Sequence, residues 1–131
     1  MRGGKIYLVY ADLDNLKEIN DACGHLVGDL MLIETAKILR VSFRQSDIIA
    51  RIGGDEFIVI LVGTNGSDAE SVSSRLQKNI EIHNQKIINN HKLSISFGIA
   101  CYDPEFPSSI VELLNNADKS MYEHKKYKNL F

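Results

Sequence analysis

Cysteine, proline and long apolar runs are all scarce in this sequence. It holds two cysteines and two prolines in 131 residues. Cys23 and Cys101 stand far apart, with no C-x-x-C pair and no metal-ligand spacing. That excludes a disulfide framework and a cysteine zinc site, and it fits reduced thiols in a cytoplasmic protein. The longest clean apolar run, Phe57 to Val62, is far too short to span a bilayer, so no membrane contact is expected from this chain. Met1 to Lys5 runs straight into a strand-like segment, without the pattern of a secretory leader. A large excess of one charge is also missing. The formal net charge of −2 gives no electrostatic ground for a nucleic-acid or anionic-membrane partner. There is no G-x-x-x-x-G-K-S/T loop, which sets aside a P-loop NTPase, and no repeat or low-complexity linker.

What is present reads as one globular domain, since 44% hydrophobic and 24% charged residues are ordinary for a folded chain. Lys5 to Ala11 is nearly continuous apolar and β-rich, as in a central strand buried on both faces. Asp12-Leu13-Asp14-Asn15 breaks that pattern, and a short helix is expected from Leu16 to Ala22, closed by Cys23-Gly24. From Val27 to about Phe43, apolar residues recur at helical spacing through Val27, Leu30, Met31, Ile33, Ile38, Leu39 and Val41. Asp47 to Ile52 and Phe57 to Val62 read as strands around the hairpin turn Gly53-Gly54-Asp55-Glu56. Thr64-Asn65-Gly66 is a loop, and Ser67-x-x-Glu70 is a capping box for a helix to about Gln85. A strand is expected over Lys92 to Cys101, alternating around Leu93, Ile95, Phe97 and Ile99. Pro104 and Pro107 bracket a loop, and Ser109-x-x-Glu112 caps a last helix to about Tyr127. The order βααββαβα predicts an α+β fold, a mostly antiparallel central sheet flanked by helices.

Two acidic clusters fall where the backbone changes direction, at Asp12-Leu13-Asp14 and at Asp55-Glu56. If the two strands are neighbours, the carboxylates converge at one edge of the sheet. Clustered carboxylates repel one another unless a cation sits among them. Hard oxygen ligands at an open site suit Mg²⁺ or Mn²⁺ shared with substrate phosphates, and two such ions ~3.5–4 Å apart clamp in-line displacement at phosphorus. The plainer alternative is that turns are rich in Asp and Gly. Against it, no tight turn needs two consecutive carboxylates at its tip, and the glycines let backbone approach a phosphate closely.

Arg51-Ile52-Gly53-Gly54-Asp55-Glu56-Phe57 resembles the signature hairpin of GGDEF domains, the diguanylate cyclase family. Ala11 to Asp21 (A-D-L-D-N-L-K-E-I-N-D), followed by Gly24-His25-x-x-Gly28-Asp29, resembles that family's metal and guanine-binding stretch. Ser94 to Ala100 and Ala117 to Tyr122 are similar to its later blocks, so the likeness covers almost the whole chain in order. The fold it implies is of nucleotide-cyclase and polymerase-palm type. The reaction it implies joins two GTP molecules into cyclic di-GMP with release of pyrophosphate, in a two-fold homodimer with facing sites.

By that resemblance Asp12 and Asp55 bind the metal with the Leu13 carbonyl, and Glu56 is a second catalytic carboxylate or an electrostatic partner that never touches metal. Asn20 and Asp29 read guanine, whose N1–H and N2–H₂ donors a carboxylate can accept together. Otherwise Asn20 is a helix C-cap and Asp29 a helix-dipole charge. His25 orders the loop, Gly53 and Gly54 admit the phosphates, and Lys125 and Lys128 neutralise the triphosphate. Arg44-x-x-Asp47, with five residues between it and Gly53, is similar to the family's inhibitory product site. Its i, i+3 spacing puts both side chains on one face if the helical turn continues; the alternative is a surface ion pair.

The sequence departs from the family in two places. No glycine precedes Lys128, leaving that segment one residue short, so Lys128 is either displaced or solvated surface. The usual helix and D-x-L-T-G-L-x-N-R segment before the first strand are not seen. A longer protein would be expected to carry a sensory or regulatory domain. The competing reading is a silent module that binds GTP or cyclic di-GMP without turnover.

Overall fold

Side-chain alternation along the first strand decides how the layers stack. The computed structural model describes residues 5–62, 69–86 and 92–129. Its elements are β1 (Ile6–Leu13), α1 (Leu16–Cys23), α2 (His25–Ser42), β2 (Ile48–Arg51), β3 (Glu56–Leu61), α3 (Ala69–Gln85), β4 (Ile95–Tyr102) and α4 (Ile110–Asn129). Tyr7, Val9, Ala11 and Leu13 of β1 point into the larger core with Met31, Leu39, Val72, Leu76 and Phe97. Leu8 points the other way, into a smaller cluster with Ala100, Leu113 and Ala117 that Tyr10 packs against. Each fully buried Val or Leu contributes ~1.5–3 kcal/mol, so a strand covered on both faces anchors the fold.

The element order is the expected βααββαβα. The four strands run β2-β3-β1-β4, and all three pairings are antiparallel. The sheet is therefore fully antiparallel among the described strands. The central place of β1 follows from its two-sided burial. The loop Thr64-Asn65-Gly66 and the Ser67 end of the expected capping box lie outside the described residues. The second capping box is formed, with the Glu112 N–H donating to Ser109 Oγ at 3.1 Å.

Boundaries move by a few residues, and the packing face of α2 differs from expectation. Leu30, Ile33 and Val41 are 58%, 50% and 71% exposed, whereas Gly28, Met31, Leu32, Thr35, Ile38, Leu39 and Ser42 are buried. The true stripe passes through small and hydroxyl residues. Thr35 Oγ1 donates to Met31 O at 2.8 Å and Ser42 Oγ to Ile38 O at 2.6 Å, so each buried hydroxyl is satisfied one turn back.

Two local devices place the site. Asn15 adopts φ 62°, a left-handed conformation that Asn tolerates, and turns the chain sharply out of β1. At Gly98 a β-carbon would stand 2.2 Å from Met121 N and 2.3 Å from Ala117 O. Helix α4 thus rests directly on β4, and its last turns run past the C-terminal end of β1.

Candidate active site

The register between β1 and β3 sets Asp12 opposite Glu56, and the Leu13 N–H donates to Asp55 O at 2.9 Å. The two acidic clusters therefore converge at one end of the sheet. Asp12 is buried. Its Oδ2 accepts from Lys125 Nζ at 2.6 Å, while its Oδ1 is buried without a hydrogen-bond partner. Burial pushes the Asp12 carboxyl up to about 6, with the Asp55 carboxyl adding to the rise and Lys125 opposing it. Burial alone would lower the Lys125 ammonium, but Asp12, Asp14 and Asp55 together raise it above its ordinary value.

Asp14 sits on the same face but is fully engaged. It accepts from Ser94 Oγ at 2.7 Å, Ser96 Oγ at 2.8 Å and Lys128 Nζ at 3.1 Å. Lys128 also donates to Ile95 O at 2.5 Å. Because no glycine interrupts it, α4 continues to Asn129 and carries Lys128 onto the face of Lys125. Lys128 is thus not solvated surface; it ties α4 to Asp14 and β4.

On the other side of the hairpin, Asp29, Leu32, Ile33, Ala36, Arg51 and Phe57 line an open cleft of about 480 Å³. Asn20 and Asp29 lie on successive helices. Helix α1 continues past Asn20 to Cys23 and is closed by Gly24, so Asn20 is not its C-cap. Helix α2 begins at His25, which leaves Asp29 beyond the first turn, where the dipole has little hold on it. The side chain of Asn20 is instead seated against α2: a β-carbon on Gly28 would stand 1.9 Å from Asn20 Oδ1. His25 is exposed at the start of α2.

A family model described as diguanylate cyclase, GGDEF domain, matches residues 1–129. The chain belongs to the GGDEF domain family. Diguanylate cyclase A of Treponema denticola is 42% identical over 125 residues, covering 91% of this chain and 32% of that protein. The bifunctional diguanylate cyclase/cyclic di-GMP phosphodiesterase MucR of Pseudomonas aeruginosa is 41% identical over 118 residues, covering 90% of this chain and 17% of that protein. The chain thus spans a third or less of the length of these curated relatives. Among solved structures, the GGDEF domain of PA1120 (YfiN or TpbB) from P. aeruginosa matches with a TM-score of 0.79 at 32% identity, over 95% of this chain and 78% of that one. An EAL/GGDEF domain protein from M. capsulatus matches with a TM-score of 0.75 at 37% identity, over 95% and 80%.

GGDEF diguanylate cyclases are divalent-metal enzymes, and the residues here fit such an ion. The orphaned Oδ1 of buried Asp12 and the adjoining, half-buried Asp55 carboxyl form an acidic pair that Lys125 compensates only on the Oδ2 side. Among the described residues, no three His, Cys, Asp or Glu side chains are gathered to hold a metal by themselves. Mg²⁺ usually takes only one or two carboxylates from a protein and shares the ion with substrate phosphates. The Leu13 side chain is buried in the core, so only its main chain could serve the site.

Side-chain contacts to the main chain shape this GGDEF hairpin. Neither Gly53 nor Gly54 is in the left-handed region. The turn is held by Arg51, whose Nε donates to Gly53 O at 3.0 Å and Nη2 to Gly54 O at 2.6 Å. A β-carbon on Gly53 would lie 3.2 Å from Glu56 Oε1, so the missing side chain leaves room for that carboxylate. Tyr10 Oη donates to the other Glu56 oxygen at 2.5 Å. Arg51 stood inside the motif, but nothing in its spacing signalled a staple. Tyr10 was signalled only by being two residues before Asp12 on the same face.

Arg44 and Asp47 are together, but not on a continued helix. Helix α2 ends at Ser42 and Phe43 is extended. A turn follows, in which the Arg44 N–H donates to Asp47 Oδ2 at 2.9 Å and the Asp47 N–H to Arg44 O at 3.0 Å. Asp47 is buried while Arg44 is exposed, their charged groups 3.7 Å apart. This is more than a surface ion pair, since the carboxylate shapes the backbone. No helix among the described residues is long and apolar enough to cross a membrane.

Proposed function

We propose that this GGDEF domain condenses two GTP molecules into cyclic di-GMP, releasing pyrophosphate. The observation that carries the reading is the buried Asp12 with its unpartnered oxygen, set beside Asp55 at the hairpin tip and balanced by Lys125. A silent binding module would have no use for an acidic pair held at that cost.

Asp12, Asp55 and the Leu13 carbonyl would hold Mg²⁺ or Mn²⁺, which would supply positive charge to the triphosphate oxygens. Lys125 contributes a mobile cation that leaves Asp12 for a phosphate, with Lys128 behind it on Asp14. Gly53 and Gly54 keep the hairpin backbone open to the phosphates. The base enters the cleft between α2 and the hairpin, where Asp29 accepts from guanine N1–H and N2–H₂ and Asn20 adds a carboxamide. His25 orders the turn between α1 and α2. Adenine lacks that donor pair and would leave Asp29 unpaired, which supports discrimination on the order of 10⁴.

The 3′-hydroxyl of one GTP attacks the α-phosphorus of another, and a second such step closes the ring. With one GTP per domain, the working unit is a two-fold dimer with facing sites. Arg44 and Asp47 bind the product and restrain turnover. The exposed, free thiols of Cys23 and Cys101 support a reducing, cytoplasmic setting. The chain's share of its relatives supports fusion to regulatory domains in a longer protein.

The test is incubation of the concentrated protein with GTP and Mg²⁺, followed by chromatography of the nucleotides. Cyclic di-GMP and pyrophosphate are expected, and both vanish with Asp55→Ala. Absence of product, even when the domain is fused to a dimerising segment, would overturn the reading.

A further inference from the structure

Glu56 is confined from both sides, on one of them by a group that the proposed chemistry does not use. Its Oε2 accepts from Tyr10 Oη at 2.5 Å, and its Oε1 fills the space left by the missing side chain of Gly53. Tyr10 is itself fixed. It lies in β1 opposite Ile58 of β3 and Gly98 of β4, and its ring packs against the cluster of Leu8, Ala100, Leu113 and Ala117. A half-buried ring locked in a sheet presents its hydroxyl at one place, without the rotamer freedom of a long side chain. The distance is that of a strong O–H···O bond to a carboxylate.

We infer that Tyr10 is a positioning residue that orients the Glu56 carboxylate toward the metal and phosphate site. Resting on the proposed cyclase reading, the inference assigns Tyr10 an action through Glu56 alone. With Oε2 engaged, Glu56 cannot rotate freely, and it is held on the strand pair beside Asp12, its register partner. Groups that orient metal-site carboxylates in this way typically matter about 10–100-fold in metal affinity or activity.

The test uses the whole chain with Tyr10→Phe, Glu56→Ala and the double variant. Mn²⁺ is titrated in the presence of a GTP analogue blocked between the α- and β-phosphates, with bound Mn²⁺ read by electron paramagnetic resonance. Turnover of GTP with Mg²⁺ is measured alongside. Tyr10→Phe keeps the ring and is expected to weaken Mn²⁺ binding about tenfold. It lowers kcat similarly while KM for GTP stays within about twofold, because the base cleft is untouched. The double variant is expected to be no worse than Glu56→Ala.

Unchanged Mn²⁺ binding and kcat in Tyr10→Phe would overturn the positioning role and leave the cyclase reading standing. So would additive losses in the double variant, or a lower melting temperature with Mn²⁺ binding intact. Failure of the unaltered chain to bind Mn²⁺ with the analogue would instead remove the cyclase reading, and this inference with it.

Discussion

Lys125 Nζ lies 2.6 Å from Asp12 Oδ2, so α4 brings its own cation to a buried carboxylate of the site. The compensation is incomplete, since burial still pushes Asp12 up to about 6. A folded-state pKa above the unfolded value favours the protonated form on folding. The stability this group contributes is fully present below its unfolded pKa and is lost as pH rises through about 6. Asp12→Asn removes that dependence. Without metal, it is expected to raise the unfolding free energy at pH 7.5 by on the order of 1–2 kcal/mol, and by much less at pH 4.5. Urea unfolding of both proteins at the two pH values checks this, and an Asn variant less stable at pH 7.5 would refute it. The same variant should make no product, the stability gain being bought with function.

Asp55 is the complementary case. It sits at the hairpin tip, half-buried, where a carboxylate does little packing. Asp55→Ala is expected to lower turnover at least about a thousandfold by removing one of two carboxylates from the metal site. The melting temperature should move by no more than about 4 °C. Turnover within about tenfold of the original would remove Asp55 from the metal set.

Gly28 tests the base cleft. Its missing β-carbon is the space that Asn20 Oδ1 occupies. Gly28→Ala should expel the Asn20 carboxamide and raise KM for GTP about tenfold, with an overpacking cost of about 1–3 kcal/mol. If the effect runs through Asn20, then Asn20→Ala with Gly28→Ala has the same KM as Asn20→Ala alone. Asp29→Ala, in contrast, should reduce the preference for GTP over ATP. Retained discrimination would take Asp29 out of base reading.

Much of this was readable in the chain because the motif residues carry their own geometry. The two-sided apolar run of β1, the turn at Gly53-Gly54 and the carboxylates at both strand ends forced the acidic clusters together once β1 and β3 paired. The α2 face was not readable, because Gly28, Thr35 and Ser42 took buried positions that hydrophobicity alone assigns to Leu30, Ile33 and Val41. The surroundings of Lys128 were hidden for a related reason. The missing glycine leaves that lysine displaced or solvated by spacing alone, whereas the uninterrupted helix sets it 3.1 Å from Asp14. The seat of Asn20 and the hold of Tyr10 on Glu56 depend on distances between elements, which no spacing encodes.

Arg44 and Asp47 share one motif, but substitution should separate them. The Asp47 carboxylate is buried and accepts the Arg44 main-chain N–H, which survives when the Arg44 side chain is removed. Arg44→Ala should therefore relieve inhibition by cyclic di-GMP at a stability cost of about 1 kcal/mol, since the ion pair is lost but the turn's main-chain hydrogen bond is kept. Asp47→Ala should relieve inhibition and also cost about 1.5–3 kcal/mol, because the turn loses a part-buried hydrogen bond to a charged acceptor. Asp47→Asn keeps an acceptor oxygen without the charge, so it should recover most of the stability but not the inhibition. Calorimetric titration with cyclic di-GMP, alongside thermal melts of the three variants, reads both effects. Undiminished product affinity in Arg44→Ala would place the inhibitory site elsewhere and leave Asp47 as the cap of the turn that leads into β2.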